Sequence, residues 1–141
     1  MKKYNVIYWF LATSMFMFGV LKFVDPFKGW YEVQITNSGL GQISYAMGIL
    51  GEVAVGLTLL LCLIFKQKIP VKACFLLTNI SFFTIIMMML TGVYVHLHPD
   101  VPAAVLPLKI KPPYIPLFFL ALAVSNIFWS IRKRKSTMKK P

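Results

Sequence analysis

Four apolar runs, at residues 6–23, 43–65, 71–95 and 114–131, decide what this chain can fold into. Each is close to the roughly 20 mostly apolar residues that a helix needs to cross a bilayer. In hydrocarbon the backbone can satisfy its own hydrogen bonds within a helix, so runs of this length predict helices. The expected fold is all-α, a four-transmembrane-helix bundle forming one integral membrane domain over residues 1–141. Composition agrees: 58% of the residues are hydrophobic and only four are acidic, too apolar a balance for an ordinary soluble domain. Met1-Lys2-Lys3 before the first run resembles the start of a signal peptide. The run lacks a small-x-small cleavage site, however, and ends in Gly19-Val20-Leu21-Lys22-Phe23, so a retained helix is expected. No internal repeat or low-complexity tract divides the chain.

The net charge of +11 falls in a pattern. Lys2, Lys3, Lys66, Lys68, Lys72 and the cluster from Arg132 to Lys140 would share one side of a four-pass chain. That side is expected to be cytoplasmic, with both termini inside. Lys22, Lys28, Lys109 and Lys111 would lie outside, partly offset by Asp25, Glu32 and Asp100. The expected location is the inner or plasma membrane of the cell, multi-pass, with the lipid bilayer as the first partner. The basic residues do not form a surface interleaved with aromatics, which excludes nucleic acid as a partner. The basic tail at residues 132–141 reads first as a topology anchor, and it can also attract anionic lipid.

Two longer loops lie on the outer side. Residues 24–40 open with Asp25-Pro26, an N-cap and a proline suited to a first helical position, and close with the turn signal Asn37-Ser38-Gly39. A short interfacial helix carrying Phe27, Trp30 and Tyr31 at headgroup level is expected there. The loop at residues 98–116 holds six prolines and predicts a stiff extended strap.

Within the second run stands one carboxylate, Glu52. Ser44, Gly48, Glu52 and Gly56 recur every four residues, placing small residues above and below the acid on one helix face. Small residues let helix backbones approach, so this face is expected to point into the bundle. Comparable stripes are Ala12, Met15, Gly19 and Lys22 in the first helix, and Cys74, Thr78, Ser81, Met88, Gly92 and His96 in the third. In the fourth, Ala121 and Ser125 form a small-xxx-small pair, with Trp129 one turn beyond. A charged group at mid-bilayer is penalised by about 2.5–3.5 kcal/mol, so Glu52 should be protonated or paired. Lys22 is the nearest cation by depth, across a gap of about 10 Å that a bent lysine, His96 or water would bridge. The bland alternative is a buried pair that only locks the bundle.

Lys22, Glu52 and His96, with Tyr45 and Tyr94, are the candidate ligand or proton site; Phe16 and Phe18 would add lining or plain core packing. In the outer loops the candidates are His98, Asp100 and Trp30. His96 and His98 are two residues apart and lack further ligands, so neither metal nor haem is expected. Cys62 and Cys74 form no C-x-x-C motif and read as small packing residues. No catalytic triad, phosphate loop or H-E-x-x-H is present, and no catalytic residue is assigned.

With Gly19-x-x-Lys22-Phe23 closing the first helix and Glu52-x-x-x-Gly56 centred in the second, the whole chain resembles the DoxX-like membrane proteins. One departure is that the arginine opening the first helix of many members has no counterpart in Val6-Ile7-Tyr8-Trp9. The resemblance implies an accessory or membrane-anchor subunit of a redox or maturation system, carried by Lys22 and Glu52, with a quinone or lipid-like ligand near Glu52. It also implies a redox or membrane-protein partner, and an oligomer is compatible with it. The alternatives are a small transporter that cycles a proton on Glu52 and a structural membrane scaffold.

Overall fold

A computed structural model describes residues 2–138, with side chains at 6–132. Met1, Lys139 and Lys140 lie outside the described residues, as do the side chains of Lys2, Lys3 and the basic residues 133–135. Among the described residues the structure is all-helical. Its order is α1 (Lys2–Leu21), α2 (Phe27–Asn37), α3 (Gly41–Ile64), α4 (Val71–Leu97) and α5 (Tyr114–Met138), with two single 3-10 turns, Ala103–Val105 and Pro107–Lys109, between α4 and α5.

Prolines and glycines set the boundaries. Pro70 precedes α4 and its carbonyl accepts from the Cys74 amide at 3.0 Å, while His98-Pro99 stops the same helix, His98 being extended. Pro113 opens the way into α5, whose first bond runs from the Leu117 amide to the Pro113 carbonyl at 3.0 Å. Gly39 and Gly41 take positive φ values of 71° and 74°, a conformation that costs glycine nothing and turns the chain from α2 into α3.

Three helices, Gly41–Ile64, Val71–Leu97 and Tyr114–Arg132, are long and apolar enough to cross a membrane. α1 contributes a shorter apolar stretch, Val6–Leu21. At most 33% of any of the three spanning windows is buried inside the protein. Exposed faces carrying Ile43, Leu50, Val71, Phe83 and Phe128 are far too apolar for water and suit a hydrocarbon solvent. The polar groups on these faces look after themselves: Thr84, Thr91 and Ser125 each donate to the carbonyl four residues back, at 2.9, 3.1 and 2.7 Å.

The long helices form a ring in which α1 packs on α3, α3 on α4, and α4 on α5, with a thinner α1–α5 seam. Neighbours are antiparallel: Gly19 meets Val53 while Gly56 meets Phe16, and Gly51 meets Met88 while Cys74 reaches the Cys62 carbonyl. One end of the ring therefore gathers the start of α1, the 65–70 hairpin and the end of α5. The other end carries α2 and the proline strap. The central core is Leu11, Ala12 and Met15 from α1, Leu59 from α3, Phe82 and Ile85 from α4, and Phe119 and Ala123 from α5. In lipid such a core gains mainly from dense van der Waals contact, because hydrocarbon outside is as apolar as the inside. Phe10 stacks on Phe119 with centroids 5.6 Å apart and Phe18 meets the same ring edge-on at 5.5 Å, closing the α1–α5 seam.

At the hairpin end the Tyr8 hydroxyl bridges to Thr78 at 2.6 Å and its ring stands edge-on to Phe82, tying α1 across the core to α4. Tyr8→Phe is expected to lower stability by about 1 kcal/mol, the worth of one intramolecular hydrogen bond, measurable as a shifted unfolding midpoint in mixed micelles. Cys62 and Cys74 are free thiols packed between α3 and α4.

Several boundaries differ from the sequence reading. α1 ends at Leu21, leaving Lys22 and Phe23 in a turn, and α5 continues through the first part of the basic tail to Met138. Pro26 precedes α2 instead of occupying its first turn, and Asp25 makes no cap. Tyr31 is buried, not interfacial. In α5 the inward face is Pro116, Phe119 and Ala123, whereas Ala121, Ser125 and Trp129 are exposed.

Candidate functional site

Glu52 lies on the buried stripe of α3, between Gly48 and Gly56 on the same face. Gly19 lets α1 approach so closely that a Cβ there would sit 2.6 Å from Val53 and 3.1 Å from the Glu52 side chain. This register carries Lys22, just past the end of α1, onto the acid. The Lys22 ammonium donates to Glu52 Oε2 at 2.6 Å, with the two side chains only 17% and 11% exposed. The gap expected from helix depth is closed by direct contact.

The ammonium also lies 3.9 Å from the centre of the Tyr31 ring, so the cation rests against a π-face as well as a carboxylate. Tyr31 reaches this position because α2 crosses the mouth of the bundle with Tyr31, Ile35 and Ser38 inward. Its hydroxyl occupies the space where Gly48 has no side chain and donates weakly, at 3.4 Å, to the carbonyls of Ser44 and Tyr45. Burial, and next the Glu52 carboxylate, push the Tyr31 phenol above its usual range, so it stays a neutral hydroxyl.

These groups form part of the wall of a cavity of about 1250 Å³. Its polar lining includes Lys22, Glu52, Tyr31, Gln34 and His96 besides the hydroxyls of Ser14, Ser44, Thr84 and Thr91, and most of the remainder is apolar, including Phe18, Trp30, Met88, Met89 and Phe119. α2 and the strap cover it. Gln34 donates to the Val105 carbonyl, Asn37 to that of Asp100 at 2.9 Å, and the Lys111 ammonium to those of His98 and Val101, so the cover is tied to α2 and to the end of α4. Val95, Val101 and Leu106 make a small apolar core beneath it.

The sequence candidates divide accordingly. Lys22, Glu52, His96 and Trp30 all line this same cavity. His96 does not join the ion pair; its Nδ1 lies 3.3 Å from the Lys111 carbonyl, a bond that places the proton on Nδ1. Tyr45 lies outside the cavity lining, its ring 5.0 Å from that of Tyr31. Tyr94 points away, donating to the Ser38 carbonyl at 3.0 Å, and stands edge-on to His98. His98 and Asp100 sit at the surface with Nδ1 and Oδ2 3.9 Å apart. Phe18 lines the cavity and Phe16 does not.

Tyr31 and Gln34 were missed as site residues. The spacing Tyr31, Ile35, Ser38 on a short helix was the available signal, since it marks a face turned inward. Among the described residues no three His, Cys, Asp or Glu side chains group as a metal site, and no buried side-chain nitrogen or oxygen lacks a partner. The arrangement offers a neutral ion pair with a cation, a carboxylate and a hydroxyl at one place in an apolar chamber, suited to hydrogen-bonding the polar end of a largely apolar molecule. Compared with protein families, curated proteins and solved structures, the chain matches none of them.

Proposed function

We propose that this chain is a four-pass membrane protein of the DoxX-like kind, with both termini in the cytoplasm, that holds a quinone-like or lipid-like molecule in its cavity. In this reading it is a non-catalytic accessory subunit of a redox or maturation system in the cell membrane. The observation that carries the reading is the Lys22–Glu52 pair set in the wall of a large apolar cavity. A pair that served only to lock α1 to α3 would need no chamber beside it. Lys22 supplies a donor to a carbonyl-type oxygen, Glu52 an acceptor to a hydroxyl, and the surrounding rings and thioethers take up apolar bulk. The fourth pass and the inside termini are supported by α1 running antiparallel to α3, which puts its lysine-bearing start at the same end as Lys66, Lys68 and the basic end of α5.

The test is equilibrium binding of a decyl-tailed benzoquinone to the protein in lipid nanodiscs. The wild type is expected to bind it saturably. Lys22→Met/Glu52→Leu, which removes both charges together, is expected to weaken binding about tenfold or more, the loss of two hydrogen bonds to the head. Absence of saturable binding, or equal binding by the double variant, overturns the reading. A proton-coupled flux lost in Glu52→Gln would mark a transporter instead.

A further inference from the structure

The cavity is not closed on the side where α3 and α4 meet. In the half of the bundle beneath α2, α3 turns Ser44, Gly48 and Gly51 toward its neighbours, and all three line the cavity. Met47, Leu50 and Ala54 on α3, and Met87 and Thr91 on α4, line it too, although each of these five is exposed on the outside of the bundle. A single space bounded both by buried Glu52 and Met89 and by these outward residues reaches the surface between the two helices. Exposed Phe10 and Phe118 line it on the α1–α5 side as well, but their rings pack on each other and on Phe119 and fill that seam, while exposed Leu108 and Tyr114 lie at the strap end. That surface lies on two helices long and apolar enough to cross a membrane, so the opening faces hydrocarbon. Across it stands the Met88 side chain, whose Sδ would lie 2.9 Å from a Cβ on Gly51. An unbranched thioether with three rotatable bonds moves aside easily.

Charge narrows the occupant. The Lys22–Glu52 pair sums to zero, so an anionic head drawn to the ammonium would face the carboxylate at its side, and a cationic head would meet the ammonium. An uncharged head with hydrogen-bonding oxygens meets neither penalty. Size points the same way: about 1250 Å³ exceeds the usual range of roughly 300–1,000 Å³ for a small-molecule pocket, leaving room for a tail.

We propose that the occupant is an uncharged amphiphile whose head lies against Lys22 and Glu52 and whose hydrocarbon tail leaves between α3 and α4 into the bilayer, through a portal framed by Gly51 and Met88. This rests on the ligand-holding reading above and adds to it the charge of the head and the path of the tail. The portal also serves as the way in, since a molecule dissolved in the membrane reaches the head site without passing the strap.

Equilibrium binding in nanodiscs tests it with a tail-free benzoquinone, its decyl-tailed analogue and dodecyl phosphate. The decyl compound is expected to bind the wild type about tenfold or more tightly than the tail-free one after correction for partition into lipid, as burial of even a few methylenes requires. Gly51→Trp and Thr91→Trp, the second at an exposed position and compatible with folding, should bring that ratio close to one. Leu57→Trp, on α3 but away from the cavity, should leave it unchanged. Dodecyl phosphate should bind the wild type more weakly than the decyl quinone. A ratio unchanged in both portal variants overturns the tail path, and equal binding of dodecyl phosphate overturns the neutral head, while quinone binding itself still upholds the cavity. Failure of both quinones to bind the wild type overturns the cavity reading and this one together.

Discussion

Replacing Lys22 by methionine is expected to destabilise the folded protein by about 3–5 kcal/mol, the range for breaking a buried ion pair from one side. The size follows from what is left behind. Glu52 is 8% exposed, its neighbours on α1 and α3 are tightly packed, and among the described residues no other cation is bonded to it. The variant must keep an uncompensated carboxylate in the bundle or take up a proton at the expense of stability. Lys22→Met/Glu52→Leu removes both charges and is expected to recover to within about 1 kcal/mol of the wild type, because apolar residues of similar volume replace buried pairs without loss. Reversible unfolding in mixed micelles, arranged as a double-mutant cycle, measures both. A double variant as unstable as the single would mean that the pair contributes through packing alone. The two single variants and the double also separate architecture from binding: the double is expected to fold well and still bind the decyl quinone poorly.

Residue by residue, legibility followed what a membrane makes compulsory. The starts of α4 and α5 were readable because Pro70 and Pro113 forbid helix before them, and the inward face of Glu52 because Ser44, Gly48 and Gly56 share its stripe. The far end of α5 was not, since its length was judged by apolarity and the lysines and arginines that follow are good helix formers in water. The inward face of α5 was misplaced for a different reason. Ala121 and Ser125 suggested a close approach, but the small residues that face inward are Ala123 on α5 and Gly92 on α4, against which Pro116 packs. Tyr31 was assigned to the headgroup region on residue type alone. Which side of an 11-residue surface helix turns inward depends on the bundle beneath it, and here Gly48 provides the socket for its hydroxyl. Depth counting named Lys22 the nearest cation but left a gap of about 10 Å for a bent lysine, His96 or water to bridge, because it treats side chains as points. The register between Gly19 and Val53, a property of the packed pair, brings them together.

That same register makes Gly56→Val the substitution with the largest expected effect on the fold. A Cβ at Gly56 would press on the Phe16 amide nitrogen and lie 2.6 Å from the Phe16 Cα, contacts with backbone that no rotamer change relieves. α1 would have to move off α3, opening the core at Leu11, Met15 and Leu59 and drawing Lys22, just past the end of α1, from Glu52, one turn from Gly56 on α3. Overpacking a close-packed site costs about 1–3 kcal/mol when side chains can yield, and here a broken ion pair adds to it, so the total is expected to exceed about 4 kcal/mol. Gly51→Ala is the control, because its added methyl meets only the end of the flexible Met88 side chain. The expected outcome is a Gly56→Val protein that aggregates or elutes heterogeneously after extraction, beside a Gly51→Ala protein that elutes as the wild type does. Equal behaviour of the two would mean that α1 and α3 are not held at the separation the glycines allow, and the pairing of Lys22 with Glu52 would lose its structural cause.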